Sequence, residues 1–387
     1  MQALHSLGGA ANAKDIVDFV ADELHLPEEI RNAKGVVSGR EINLFARRVR
    51  WVRQDGIRRQ FLSAESYGKW ALTESGKTYL QNIRPGFVIT IYETDLGRAL
   101  WADAHAAAGV IGDNSINLIV TSPEYPLLKP KQYGNRTGQE YLDWLTSLAT
   151  EWKRMLVDTG SLVMTLGPVW QRGTPTESVY QERLLLRLID EVGFNLAQRF
   201  YYHSPGKIPS SEWITIRRVR VRNVMETTWW LSKTENPKAN NRNVLIPYTE
   251  RMQKLIATGG EFRRERPAGQ GATQGGFGRD NGGSIPTNLI TATNSSSNDY
   301  YHRMCRKHNL PPHPATISES VLRLFIPLLT DDGDIVYDGL GGSNKVGKVC
   351  EDLNRRWIVS EKSLTYLSGS KFHIPNYRNV APDLCPI

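Results

Sequence analysis

The 387-residue sequence predicts an α/β domain with a mainly parallel sheet over residues 88–372, preceded by a small α+β domain over residues 1–82. Three observations carry this expectation. The first 82 residues read as short helices followed by a two-stranded pattern. From about residue 88, apolar strand candidates alternate with amphipathic helices. Near the end, DIVYDGLGGSNKVGKVCEDLNRRWIVSE (334–361) reads as strand, glycine-rich turn, helix and strand.

In the first domain, LHSLGG and AKDIVDFVADELHL read as two helices separated by Gly8 and Gly9, the second placing Ile16, Val17, Phe19, Val20 and Leu24 on one face. A third helix, GREINLFARRVRWVRQDG, turns Ile42, Phe45, Val49 and Val52 inward and Arg47, Arg48, Arg50 and Arg53 mostly outward. FLSAESYGKWALTESG then reads as a hairpin that ends in a Thr-Glu-Ser-Gly helix start. Three helices and a hairpin form a winged-helix arrangement, in which an arginine-rich third helix suits a DNA groove. A solvated helix on a protein-contact domain is the alternative.

After the linker QNIRPG, the strand candidates are INLIV (116–120), SLVMTL (161–166), FNLAQRFYYH (194–203), ETTWWLS (226–232) and DIVYDG (334–339). EYLDWLTSLATEWKRML and ERLLLRLIDEV are helices between them. Trp229 and Trp230, in a strand, are expected in the core. Arg217, Arg218, Arg220 and Arg222 alternate partly with Ile216, Val219 and Val221, a pattern expected of a half-buried strand whose cationic face suits phosphates. Residues 257–300 are rich in Gly, Asn and Arg without a period, so they are a flexible insert or a binding loop on a rigid scaffold.

Lys plus Arg number 48 against 40 Asp plus Glu, a net charge of +8 that favours a polyanionic partner. No run reaches the roughly 18 apolar residues of a membrane span, and the N-terminus has no signal-peptide order, so a cytoplasmic protein, in a bacterial cytosol or nucleoid, is expected. Cys305, Cys350 and Cys385 have neither metal-ligand nor disulfide-framework spacing; reduced thiols and no metal are expected.

Two segments carry chemistry. INLIV runs straight into TSPEY (121–125), which sets a hydroxyl, a stiffened backbone and an aromatic ring at the carboxyl end of a buried strand, where open α/β sheets hold ligands. In the glycine-rich turn, Gly341 and Gly342 let a backbone approach a nucleotide-type cofactor, and Glu361, 23 residues after Asp338, ends the next strand where ribose hydroxyls are bound. A dinucleotide fingerprint would sit at the start of a domain as G-x-G-x-x-G, and no G-x-x-x-x-G-K-[ST] phosphate loop is present.

TSPEY followed far downstream by this turn resembles the beta class of amino-group DNA methyltransferases, whose catalytic turn reads S-P-P-[YF] and whose cofactor turn reads D-x-F-x-G-S. The likeness continues through 207–248, 280–289 and 313–339, and GGSN makes it similar to the PvuII-type N(4)-cytosine-specific branch. The first domain resembles that of Mrr-type restriction proteins. The resemblance implies a Rossmann-like S-adenosylmethionine-dependent sheet, a target-recognition region at about 205–300, double-stranded DNA as partner, and a homodimer as one assembly.

It also implies site residues. Ser122, Pro123, Glu124 and Tyr125 form the catalytic turn, and His313, Asp338, Gly341, Gly342, Ser343, Asn344 and Glu361 form the cofactor site. Arg47, Arg48, Arg50, Arg217, Arg218, Arg220 and Arg222 face DNA. The amine lone pair of cytosine is delocalised into its ring, so it needs acceptors on its N–H bonds; the Ser122 hydroxyl and Pro123 carbonyl are two. Tyr125 suits stacking on a flipped base. None of the cysteines follows a proline as a thiolate attacking ring carbon 5 would, so transfer to an amine remains. N(6)-adenine transfer, or a DNA-binding protein with weak catalysis, stays open. The chain departs from the pattern at Glu124, where a second proline is expected, at Gly339-Leu340, and at Lys345-Val346.

Overall fold

The computed structural model describes the chain apart from residues 1–2, 5–6, 24–25, 38–39, 64–67, 82–85, 127–135, 137, 208–211, 262–274, 293–297 and 382–387. Much of the QNIRPG linker and part of the 257–300 insert therefore lie outside the described residues, as does Cys385. The chain divides into two units, Met1–Arg84 and Pro85–Ile387.

The first unit contains β1 (Ala10–Asn12), helix Ala13–Glu23, β2 (Lys34–Val37), β3 (Arg40–Asn43), helix Leu44–Arg58, β4 (Lys69–Ala71) and helix Glu74–Gln81. Its core gathers Leu4, Ile16, Leu62, Trp70 and Leu72. Three expectations need correction. The arginine-rich helix starts at Leu44, because Arg40–Asn43 pairs with β2 and the Asn43 side chain accepts the Ala46 N–H as a helix cap. The inward stripe of that helix runs through half-buried Val49, Arg53 and Ile57 and buried Gly56, which leaves Val52 on the flank and 65% exposed. Arg53 instead lies over the Trp70 ring. Among the described residues, with 64–67 outside them, the expected hairpin shows pairing only around a Leu62–Leu72 bridge, and β4 pairs with β1.

The second unit is built on a ten-stranded sheet. Its strands are β5 (Val88–Glu93), β6 (Gly97–Ala102), β7 (Ile116–Thr121), β8 (Leu156–Leu166), β9 (Asn195–His203), β10 (Met225–Ser232), β11 (Leu289–Thr291), β12 (Ile335–Asp338), β13 (Arg356–Glu361) and β14 (Arg378–Asn379). The order across the sheet is β11-β9-β10-β8-β7-β12-β13-β6-β5-β14. The centre from β8 to β6 is parallel, whereas β10 and β5 run antiparallel to their neighbours.

Residues of β7 alternate between two cores. Ile119 packs with Trp152, Leu162 and Trp229 on one side; Leu118 and Val120 pack with Phe325, Val336 and Val349 on the other. A strand covered on both faces has no polar side, hence the uninterrupted INLIV run. Trp229 is buried in the first of these cores, and Trp230 packs against the second while its indole N–H donates to Ser161. The expected strands at INLIV, SLVMTL, FNLAQRFYYH, ETTWWLS and DIVYDG all form; β5, β6, β11 and β14 had no distinct signal.

The arginine-valine alternation at 216–222 is not a strand. Glu212–Ile216 makes a π-helical turn, and Arg218 takes a left-handed φ of 55°, which breaks an extended run. Ile216, Val219 and Val221 are consequently 67%, 57% and 88% exposed.

One close approach fixes the parallel centre. A Cβ on Gly97 would sit 2.3 Å from both the ring and the carbonyl oxygen of Trp357 on the neighbouring strand. Gly97→Ala is therefore expected to destabilise the folded protein by about 1–3 kcal/mol, read as a lower urea midpoint. An unchanged midpoint would show that β6 and β13 can separate freely.

Candidate active site

The strand β7 lies between β8 and β12, both parallel to it, so the chain leaves the sheet at Thr121, Leu166 and Asp338 on one edge. A cavity of about 720 Å³ opens there, with Asp103, Ser122, Tyr125, Glu226, His313 and Glu361 in its wall. The two segments singled out in the sequence thus meet at one site, the position where open α/β sheets bind ligands.

In the TSPEY turn, Pro123 is buried and Ser122 half-buried. The Ser122 hydroxyl donates to the Thr165 carbonyl at 3.2 Å and lies 3.5 Å from the Tyr125 hydroxyl. The Tyr125 ring rests on Gly167, where a Cβ would come within 2.5 Å of it. Its hydroxyl donates to Glu226 at 3.4 Å, and the other Glu226 oxygen accepts from Lys207 at 2.8 Å. Burial first, and then the Glu226 charge, raises the Tyr125 phenol well above its ordinary value, so it keeps its hydrogen.

Glu124, within the TSPEY turn, is paired rather than loose. Its carboxylate accepts from Arg136 at 3.1 Å and lies 3.9 Å from the Lys362 ammonium. The Arg136 guanidinium stacks over Trp144 at 4.4 Å. Burial pushes the Glu124 carboxyl up, while Lys362 and Arg136 draw it back.

The glycine-rich turn is built by close contacts within the protein. A Cβ on Gly341 would meet Val359 Cγ1 at 2.0 Å, and one on Gly342, at φ 51°, would meet the His313 ring at 3.0 Å. Asn344, left-handed at φ 54°, caps the helix Lys345–Asp352 by accepting from Gly347 N–H at 2.8 Å and donates to the Tyr92 hydroxyl at 2.9 Å. Ser343 and Asn344 are buried. Glu361 accepts the Gly342 N–H at 3.0 Å and the Ser363 N–H at 2.8 Å while still lining the cavity. His313 also lines it, with its backbone N–H donating to Tyr301. From the turn itself the wall takes Gly339 and Leu340, the positions that depart from the family pattern.

The cationic residues separate. Arg217 donates to Glu212 and lies over Trp213, and Arg222 donates to the Pro205 and Lys207 carbonyls. Arg220 stacks on Trp170 at 3.4 Å, with its Nε and Nη1 covered and lacking a hydrogen-bond partner among the described residues. Arg47, Arg48 and Arg50 belong to the first unit, Arg48 and Arg50 exposed and Arg47 half-buried. Among the described residues no group of His, Cys, Asp and Glu could hold a metal ion, and no helix is long and apolar enough to cross a membrane. Cys305 and Cys350 are buried free thiols.

Sequence reasoning passed over Glu226, Lys207, Arg136 and Lys362. Lys362 directly follows the predicted acid Glu361 and so had a positional signal. Glu226 had none, since its place depends on β10 running antiparallel to β8, which returns its first residues to the cavity edge.

Asp338 lies behind the cavity and accepts the Leu340 N–H at 3.0 Å. Burial pushes its carboxyl up to about 7 from an ordinary 3.8, against the pull of the Leu340 N–H. The folded state favours the neutral form, so this group's contribution is complete below about pH 4 and is lost as pH rises through about 7. Asp338→Asn, which keeps an acceptor for Leu340, should raise the melting temperature at pH 8, with an advantage that shrinks steadily toward pH 4. A pH-independent difference in thermal unfolding would contradict the shift.

The family described as DNA methylase matches residues 116–372, and the Mrr N-terminal domain matches residues 1–82. The chain is 40% identical over 284 residues to the type II methyltransferase M.PvuII of Proteus hauseri, covering 73% of this chain and 84% of that protein. It is 24% identical to the type II methyltransferase M.BglII of Bacillus subtilis over 70% of this chain and 68% of that one. Among solved structures it is similar to the PvuII DNA methyltransferase (cytosine-N4-specific), with a TM-score of 0.61, 32% sequence identity, and coverage of 78% of this chain and 94% of that chain. With the TSPEY turn and the glycine-rich turn both inside the matched region, the chain belongs to the N6/N4 DNA methylase family.

Proposed function

We propose that the chain transfers a methyl group from S-adenosylmethionine to the N4 amine of a cytosine flipped out of double-stranded DNA. The observation that carries this reading is the state of Ser122. Its single hydrogen is given to the Thr165 carbonyl, so the lone pairs of an oxygen that lines the cavity are left to accept from an amine. An amine whose lone pair is shared with its ring becomes nucleophilic as such acceptors draw on its N–H bonds and the nitrogen pyramidalises. The Pro123 carbonyl is the second acceptor. Tyr125, fixed against Gly167, offers a ring to a flipped base, which must leave the duplex for its paired amine to be reached.

The residues present fit the donor. A cavity of about 720 Å³ has room for a ligand of that size beside a base, and Glu361, His313 and the Gly339–Leu340 edge would hold it. When bound, S-adenosylmethionine supplies an electrophilic methyl on a sulfonium. Holding amine and donor in one cavity at the β7 and β12 strand ends does most of the remaining work, by proximity. The relative named as cytosine-N4-specific and the serine at 122 favour cytosine N4 over adenine N6.

Arg217, Arg218, Arg220 and Arg222 are assigned to the DNA backbone. Arg47, Arg48 and Arg50 of the first unit are assigned the same task. Base readout falls to the region of about 205–300, on DNA of the bacterial cytosol or nucleoid, with the protein as a monomer or a homodimer.

Two substitutions test the reading, with transfer of a tritiated methyl group to unmodified duplex DNA as the measurement. Ser122→Ala should lower the rate about 10²-fold, the scale on which enzymes lose a positioned partner of the reacting group; a rate within a factor of three of wild type would sink the acceptor role. Glu124→Pro restores the family residue but leaves Arg136 and Lys362 without their shared carboxylate, and should slow transfer several-fold. Faster transfer by the Glu124→Pro protein would mark Glu124 as a defect instead of a compensated change.

A further inference from the structure

Glu226 is a carboxylate in the cavity wall that has no part in the scheme above. It is the second residue of β10, two residues ahead of Thr228, whose hydroxyl meets that of Thr165 at 2.9 Å across the β8–β10 pair. On a strand, residues two apart share a face, so Glu226 projects on the Thr165 side, one step further toward the open sheet edge. There it accepts from the Tyr125 hydroxyl at 3.4 Å, and Lys207 holds its second oxygen at 2.8 Å.

We propose that Glu226, held by Lys207, is a positioning residue that takes the phenolic hydrogen of Tyr125 and so keeps the Ser122 oxygen open to the substrate amine. The inference rests on the acceptor role proposed for Ser122. A phenol has one hydrogen, and two of its neighbours among the described residues can take it, Glu226 at 3.4 Å and Ser122 at 3.5 Å. Distances this similar do not choose between them; charge does. A carboxylate is the stronger acceptor, so the hydrogen goes to Glu226. The Ser122 hydrogen is meanwhile on Thr165, and neither hydrogen competes for the face of the serine oxygen that the amine needs.

Removing the charge reverses that choice. With Gln at 226 the phenol can turn to Ser122 and occupy a lone pair there, and the amine loses part of its acceptor. Lys207 serves this arrangement indirectly, by fixing the carboxylate in place. Its side chain is 35% exposed and that of Glu226 18% exposed, so the pair sits at the mouth of the cavity and not in the core that holds the sheet together.

The test is a double-mutant cycle on the full chain, read as the single-turnover rate of tritiated methyl transfer to unmodified phage DNA. Glu226→Gln should lower the rate about tenfold and leave the S-adenosylmethionine concentration dependence unchanged. In protein already carrying Tyr125→Phe, the same Glu226→Gln change should cost nothing further, because the hydrogen it controls is gone. Lys207→Gln should behave as a weaker copy of Glu226→Gln, with the same dependence on the phenol, and serves if the Glu226 variant folds poorly. Equal losses with and without the phenol, or no loss in the presence of Tyr125, overturn the inference. If Ser122→Ala stays active, the acceptor role falls and this inference with it; if Ser122→Ala is inactive while the 125 and 226 losses simply add, only the Glu226 inference falls.

Discussion

The pairing of β7 with β12 is the constraint on which the rest of this protein depends. Leu118 lies beside Val336 and Ile119 beside Tyr337, although more than two hundred residues separate them. Because both strands are parallel, this register brings their carboxyl ends to the same edge, and with them the TSPEY turn and the glycine-rich turn. Hydrophobic residues pointing to both faces hold the register: shifting either strand by one residue would exchange the Ile119 side for the Leu118 and Val120 side. The cavity is thus a consequence of a largely buried strand pair, and it opens where the chain must leave the sheet.

At that edge, the arrangement of hydrogens and charges matters more than the inventory of residues. The acceptor role proposed for Ser122 rests on its hydrogen being already committed to Thr165. Glu124, a carboxylate where the family has proline, would be a liability beside a reacting amine if it were unpaired. Arg136 and Lys362 neutralise it, and the Arg136 stack on Trp144 anchors that compensation to the helix Gly138–Met155. The departure from the pattern thus comes with its own counter-charges, which argues for an adapted site over a decayed one.

The five quoted strands, and the TSPEY and glycine-rich turns at the ends of two of them, were legible in the sequence. Each rests on local pattern: INLIV is apolar because both faces are covered, and Gly341 and Gly342 mark a backbone that must pass close to something. What that something is was not legible, since the close partners are Val359 and His313 of this chain. Asn344 looked like part of a ligand-binding turn, yet its side chain is spent on capping a helix and bonding to Tyr92. The arginine-valine alternation at 216–222 imitates a strand, but nothing in a two-residue period reveals the left-handed Arg218 that breaks it. Val52 and Arg53 exchanged places for a related reason: helical phase is set by where the neighbouring core lies, here Trp70, and not by hydrophobicity alone. Glu226 and Lys207 were invisible because antiparallel strand pairing, a long-range fact, delivers them to the cavity.

The central claim is that Ser122, at the end of β7, activates a cytosine amine. It is tested most directly by single-molecule sequencing of DNA from cells that express the protein, beside cells that express Ser122→Ala. N4-methylcytosine in one defined sequence context, present with the wild-type chain and absent with the variant, is the predicted result. Methylation confined to adenine, or a cytosine signal that survives loss of the serine hydroxyl, would contradict it.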